Sequence, residues 1–482
     1  MSARSSRFCE LVLAGLFRVD ALYPRSLRFL LNANGVDRVR SLARAVPERV
    51  PSRPLPLVRL GAAEYERQVA RAAPGAAATR RFAAGAPRSV FDGVPVAVKD
   101  MIAVAGFPKY SGAFPSGRGP EPVDDPVVAR LRDAGAIVVG ATVMTEFGIS
   151  PIGWNAHYGG ARNPWDADRY AGGSSTGSAV AVAAGLLPVA VGFDGGGSVR
   201  VPAALTGLYG LAAGFARVPF RTEAPCSMTH AGPFATTARD AELALVYALI
   251  SAPAADGEGT HTTTTLYRPP PPSGAEPPRR MRLGVLRGAI DDSEPDVRDA
   301  VEAALAALAE DHELVDVAIP HLMTLCARRR RPPFRPRGTD APRRSLAHSM
   351  TLSSEMAFMH DAEFAADGDP PLEDSTRVAL AMGRSMTAVE IHAANRLRSW
   401  AMDLFERELF GRLSLDAVVS PTTPIVAPPL SAAAAAGGES DTALTVKLIK
   451  FVFLASARAR PARVDAPRPR VFASEFDALL AP

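Results

Sequence analysis

The 482-residue chain is poor in cysteine, histidine and, above all, lysine. Its three cysteines, Cys9, Cys226 and Cys326, show no CxxC spacing, which argues against a disulfide framework and a zinc ribbon. Only four of its 54 basic residues are lysine: Lys99, Lys109, Lys447 and Lys450. A chain that uses arginine wherever a positive charge suffices marks each retained lysine as worth inspection. Charge of one sign is also lacking: the net charge is +4, too small to imply a nucleic-acid partner. Long uncharged apolar runs are missing too. The stretch from Phe8 to Leu31 is interrupted by Glu10, Arg18, Asp20 and Arg25, unlike a spanning helix or a signal peptide. It reads as an amphipathic helix pair packing on the body, with peripheral membrane contact as the alternative. The run from Ala179 to Phe193 carries Gly185 and Pro188 and reads as a buried helix followed by a buried strand.

What is present is ordinary globular composition, 47% hydrophobic and 22% charged, which excludes a disordered, collagenous or coiled-coil chain. GVPVAVKD at 93–100 reads as a buried strand ending in a polar turn and AGAIVVGAT at 134–142 as a strand, with a helix from Asp125 to Asp133 between them. A helix near Ser178–Gly185 and a strand near Pro188–Phe193 follow. MRLGVL, HELVDVAI and DAVVSPTTP read as further strands. The segment 294–310 is a helix for which Ser293 is the expected N-cap, and 350–410 is largely helical. Short apolar strands alternating with helices predict an α/β fold, a mixed twisted sheet covered by helices on both faces. The expected organisation is a helical lead-in or cap over 1–85, a catalytic domain over 86–455 and an atypical Arg/Pro-rich tail over 456–482. Two loops, 255–280 and 328–344, are expected to be disordered within that domain.

The chemistry concentrates in residues 172–200, GGSSTGSAVAVAAGLLPVAVGFDGGGSVR. Two Gly/Ser clusters are joined by an apolar helix and strand. Successive backbone N–H groups in a glycine-rich turn form a nest for an anion. Neither GxxxxGK[ST] nor GxGxxG occurs here, which disfavours a nucleotide phosphate and leaves a developing oxyanion. Ser198 follows Gly195, Gly196 and Gly197, well placed to attack a carbonyl that those N–H groups polarise. No histidine lies in either cluster; His157 is the nearest, and a histidine brought from a distance stays open as the base. Lys99 is the other candidate. It ends an apolar strand, where desolvation favours the neutral amine, and a neutral amine accepts a proton whereas arginine cannot. Nearby, Asp194 and Arg200 read as a pair that fixes the nucleophile loop, and Ser175 as a cap of the next helix, with a second proton relay as the alternative. Thr142 and Glu146 read as local framework. Met144 and Phe147 read as core, with an acyl-channel lining as the alternative.

These pieces resemble the amidase-signature hydrolases. The matches are GVPVAVKD at 93–100, GGSSTGSA at 172–179 and DGGGSVRVPAAL at 194–205, in the family's order, with the two serines 24 positions apart. The resemblance covers about 85–455. It implies a Ser–cis-Ser–Lys triad: Ser198 as nucleophile, Ser174 as bridging serine after a cis Gly173–Ser174 bond, and Lys99 as base. It also implies an oxyanion hole from the N–H groups of Gly195, Gly196, Gly197 and Ser198. The stretch NAHYGGARNPWDADRYAGGSSTGSA, with DGGGS, is similar to the plant-type fatty acid amide hydrolases. The activity so implied is hydrolysis of the carbon–nitrogen bond of acyl amides, such as N-acylethanolamines, through an acyl-enzyme. No metal or cofactor is implied. The expected partner is a small acyl amide, without nucleic acid; a homodimer and membrane contact through the N-terminal helices stay open. The expected location is cytoplasmic or peripheral to a membrane. An amidotransferase-type amidase subunit and an inactive scaffold of the same fold are the alternatives.

The chain departs from the family pattern at Thr176, Phe193 and LAAG at 211–214. After KLIKFVFLA it turns to SARARPARVDAPRPR instead of the family's closing strands, a bias that reads as an out-of-frame tail. The expectation from that tail is a poorly closed core.

Overall fold

The computed structural model describes residues 73–114, 119–214, 218–221, 227–245, 280–318, 346–366, 372–431, 434, 439 and 441–452. The lead-in before residue 73, the two loops expected to be disordered (except residue 280) and the 456–482 tail lie outside the described residues.

Eight strands form two sheets among the described residues. They are β1 (Pro95–Lys99), β2 (Ile137–Thr142), β3 (Val189–Asp194), β4 (Tyr209–Gly210), β5 (His230–Ala235), β6 (Arg282–Val285), β7 (Glu313–Asp316) and β8 (Ala417–Val419). The first sheet has the order β2-β1-β3-β5-β4; β1 is parallel to both β2 and β3, and β5 is antiparallel to both β3 and β4. The second is parallel, in the order β7-β6-β8. The mixed α/β architecture expected from the sequence is therefore present.

Two-residue periodicity explains how both faces of the first sheet are buried. On β3, Val189, Val191 and Phe193 point into one core with Val96 and Val98 of β1. Helix α1 (Pro126–Asp133) closes that face with Val127, Val128 and Leu131. Ala190 points the other way, to Phe234 and to the helices α2 (Thr176–Ala183) and α3 (Arg200–Thr206) through Ala179, Val182 and Ala203. All eight residues of α2 are buried, which accounts for its continuous small and apolar sequence. Helix α1 starts as its sequence dictates: the Asp125 carboxylate accepts the Val127 N–H at 2.9 Å, and Pro126 takes the first turn.

Farther along, α4 (Pro295–Asp311) packs Val301, Ala304 and Leu305 against β6 and β8. The cap expected at Ser293 is not there. Glu294 occupies that position, and the Ser293 hydroxyl instead donates to Ala289 O at 2.9 Å. The described residues of 350–410 are largely helical as expected, comprising α5 (Leu346–Met359), the short helix Asp361–Ala366, α6 (Asp374–Arg384), α7 (Ala388–Asp403) and a π-helical continuation over Leu404–Arg412. Gly383 of α6 sits against Ser353 O and Ala357 of α5, an approach that a Cβ would block. Thr387 and Glu390 form a reciprocal capping box at the start of α7. Among the described residues no helix is long and apolar enough to cross a membrane.

Candidate active site

Parallel neighbours end on the same side of a sheet, and that geometry assembles the site. Lys99 ends β1, Thr142 ends β2 opposite it, and Asp194 ends β3. The Gly195–Ser198 loop leaves β3 at this edge, and α2 begins beside it.

Lys99 is 1% exposed, and its Nζ donates to Ser174 Oγ at 2.6 Å. Burial pushes the Lys99 ammonium down to about 7, with the negative charge of Asp194 opposing the shift. The Gly173–Ser174 peptide is cis, as the resemblance implies. Ser198 is buried, and its carbonyl accepts the Ser175 N–H at 3.4 Å, which joins the nucleophile loop to the start of α2. Lys99 and Ser174 are thus in direct contact, and Ser198 is tied to the residue after Ser174.

Ser175 stands at the N-cap position of α2 but makes no cap. Its hydroxyl donates to Phe193 O at 3.2 Å and accepts the Phe193 N–H at 3.4 Å. It therefore fastens the helix start to the last turn of β3. Gly192 makes this contact feasible, since a Cβ there would lie 2.6 Å from Ser175 Oγ. Thr142 belongs to a hydroxyl bridge: its Oγ1 lies 2.6 Å from Ser178 Oγ, and Ser178 donates to Val191 O at 3.1 Å.

Asp194 organises the nucleophile loop. Its carboxylate accepts the N–H groups of Gly197 (2.8 Å), Val199 (3.1 Å) and Arg200 (3.2 Å), together with Arg200 Nε (3.0 Å) and Nη2 (2.8 Å). Burial works against this charge, but the Arg200 guanidinium and the N–H donors hold the carboxyl well below the usual carboxylate range. Arg200 Nη1 also donates to Val452 O at 2.7 Å, which anchors the far end of the described chain beneath the loop. One expectation needs correction here. The Gly197 N–H faces Asp194, so it braces the turn and is not aimed at a substrate oxygen. The oxyanion candidates reduce to the N–H groups of Gly195, Gly196 and Ser198.

Breaking one half of a buried ion pair leaves an uncompensated charge. Asp194→Ala would strand the Arg200 guanidinium and three N–H groups. Its stability in denaturant titration is expected to fall by about 3–5 kcal/mol.

His157 is engaged away from the serines: its Nε2 lies 2.9 Å from Glu146 Oε1. Met144 and Phe147 are buried, and Phe147 stacks on His360 with ring centroids 3.9 Å apart. Two histidines that the motifs did not indicate lie close to the loop. His230 is the register partner of Asp194 on β5, and His348 Nε2 lies 3.1 Å from where a Cβ on Gly196 would stand. Both are neutral: burial pushes His230 down to about 4 and His348 to about 3. His348, Thr351, Leu352 and Glu355 are spaced as one stripe of α5, and Leu352 packs over Gly195 and Gly196. That spacing was readable in the sequence; its destination was not. Among the described residues no group of three or more His, Cys, Asp or Glu side chains could hold a metal ion.

The Amidase family profile matches residues 63–465. The chain belongs to the amidase family. Within it, the chain is 32% identical over 448 residues to a fatty acid amide hydrolase of Medicago truncatula, covering 92% of this chain and 67% of that one. It is 33% identical over 396 residues to a fatty acid amide hydrolase of Arabidopsis thaliana, covering 80% and 61%. The chain thus spans about two thirds or less of the length of these plant relatives. A solved structure described as a vestigial protein complex revealing the origins of an s-triazine catabolic enzyme superposes with a TM-score of 0.68 at 26% identity, covering 88% of this chain and 85% of the other.

Proposed function

We propose that this amidase hydrolyses fatty acyl amides, N-acylethanolamines among them, through an acyl-enzyme on Ser198. The observation that carries the reading is the dry Lys99–Ser174 hydrogen bond at 2.6 Å, set beside the glycine loop that bears Ser198. Burial lowers the Lys99 ammonium far enough to bring its neutral form within reach near neutral pH. Neutral Lys99 takes the Ser174 proton while Ser174 takes that of Ser198. The Ser198 oxygen bonds to the amide carbon. The N–H groups of Gly195, Gly196 and Ser198 hold the resulting oxyanion. The proton returns along the relay to the leaving nitrogen, the C–N bond breaks, and the amine departs. Water, deprotonated by the same relay, then releases the acid and restores Ser198. The two plant relatives named fatty acid amide hydrolases support a fatty acyl group, and the buried Met144 and Phe147 near the relay add apolar surroundings.

A substrate panel tests the reading. Burial is worth about 0.8 kcal/mol per methylene, so kcat/KM is expected to favour a long-chain acyl ethanolamide over the acetyl analogue by about 100-fold or more. Equal rates, or a preference for the acetyl compound, would contradict the fatty acyl assignment. Ammonia release from glutamine that requires added partner subunits would place the chain with the amidotransferases instead.

A further inference from the structure

Asp194 braces the later part of the nucleophile loop by taking the N–H groups of Gly197, Val199 and Arg200. Gly195 and Gly196, two of the remaining oxyanion candidates, are covered by other elements. A Cβ on Gly195 would stand 3.4 Å from Leu352 Cδ1 and 3.3 Å from Thr229 Oγ1. One on Gly196 would stand 3.1 Å from His348 Nε2 and 3.5 Å from Leu352 Cδ2. Two covers thus lie on these glycines: α5, through His348 and Leu352, and the residues just before β5, through Thr229. The two are tied together at Ser227. Its N–H donates to Glu355 Oε2 at 3.0 Å and its hydroxyl to Glu355 Oε1 at 2.5 Å. The same hydroxyl accepts from Arg398 Nη1 at 2.8 Å, and the Ser227 carbonyl accepts from Arg398 Nη2 at 2.9 Å. Main chain and side chain of Ser227 are therefore both engaged, by a carboxylate of α5 and a guanidinium of α7, in charge-assisted hydrogen bonds.

Glu355 lies three residues beyond Leu352 and seven beyond His348, so the tie falls on the stripe of α5 that meets the glycines. Thr229 follows Ser227 by two residues, and the next residue, His230, opens β5 as the register partner of Asp194. Elsewhere α6 supports α5, where Gly383 meets Ser353 and Ala357. Resting on the hydrolase reading above, we propose that Ser227, Glu355 and Arg398 are positioning residues: their clasp seats α5 and the β5 lead-in on Gly195 and Gly196, and so holds those two N–H groups where the oxyanion forms. Preorganisation is what such a clasp supplies. A run of glycines has no side chains of its own to fix its shape. An oxyanion donor is effective only when it is already aimed as the charge develops. Ground-state binding asks less of the same groups, because the carbonyl oxygen gains its full charge only in the transition state.

The test is Ser227→Ala, which removes the hydroxyl bridge and leaves the main-chain bonds. Removing one oxyanion donor outright costs about 10²–10³ in kcat. Loosening two is expected to lower kcat on a long-chain acyl ethanolamide by about tenfold or more, with KM within about twofold of the parent. Glu355→Gln, on the α5 side of the clasp, is expected to show the same split. The double variant is expected to lie within about twofold of the slower single one, because both changes open one contact; losses that multiply would overturn the proposal. Ser227→Thr keeps the hydroxyl and is expected to return kcat to within about threefold of the parent. A threonine variant as slow as the alanine one, parent-like kcat in both single variants, or a rise in KM alone would each contradict the clasp. Should Ser227→Ala not fold, Glu355→Gln against the parent carries the same split and the same contrary results. Fluorophosphonate labelling of Ser198, followed beside turnover, is expected to slow in step with kcat. A parent that takes the label and variants that take it equally fast would overturn the clasp alone. A parent that neither turns over the amide nor takes the label would overturn the hydrolase reading, and the role of the clasp with it.

Discussion

Ser198→Ala is expected to abolish amide hydrolysis, with kcat lower by about 10⁶-fold. The methyl group cannot form the acyl bond, and neighbouring hydroxyls are committed elsewhere: Ser175 to Phe193, Ser178 to Thr142 and Val191. The fold is expected to survive, because the serine contacts described at this position run through its backbone. The Ser198 carbonyl accepts from Ser175, and the loop shape is fixed by Asp194 and Arg200. A thermal midpoint within about 2 °C of the parent, combined with undetectable product release, is the expected pair of results. Near-normal hydrolysis by this variant would refute the nucleophile assignment.

Lys99→Ala is expected to lower kcat by about 10³–10⁴-fold, or about 4–5.5 kcal/mol of activation free energy. Lys99→Arg is expected to be as inactive. A guanidinium retains its charge near neutral pH and cannot accept the relay proton. The arginine variant separates two explanations of the retained lysine. If charge alone mattered, arginine would restore most of the activity. If the neutral amine matters, it restores none.

Much of this arrangement was legible in the sequence, and for identifiable reasons. GVPVAVK lies between two parallel neighbours and is buried on both faces, so it reads as a continuous apolar run, and AIVVGAT pairs beside it as the half-buried edge strand. The ends of β1 and β3 carried Lys99 and Asp194 in motifs spaced by turns that only glycine and small residues fit. Other features were not legible because their cause is tertiary. The Gly197 N–H looked like an oxyanion donor until the Asp194 carboxylate three residues earlier turned back to it. Ser175 and Ser293 carry side chains suited to caps, yet each found a backbone acceptor outside its helix. His348 lies more than 140 residues from the motif it approaches, and no local pattern marks a side chain that reaches the site through the packing of α5.

The central claim is that a partly neutral Lys99 activates Ser198 through Ser174. The most direct test is the pH dependence of Ser198 modification by a fluorophosphonate, followed by mass spectrometry of the peptide that carries it. The expected result is a label on Ser198 alone, forming about tenfold faster per pH unit between pH 5 and 6.5 and absent in Lys99→Arg. A label on another residue, or a rate indifferent to pH across that range, would contradict the account.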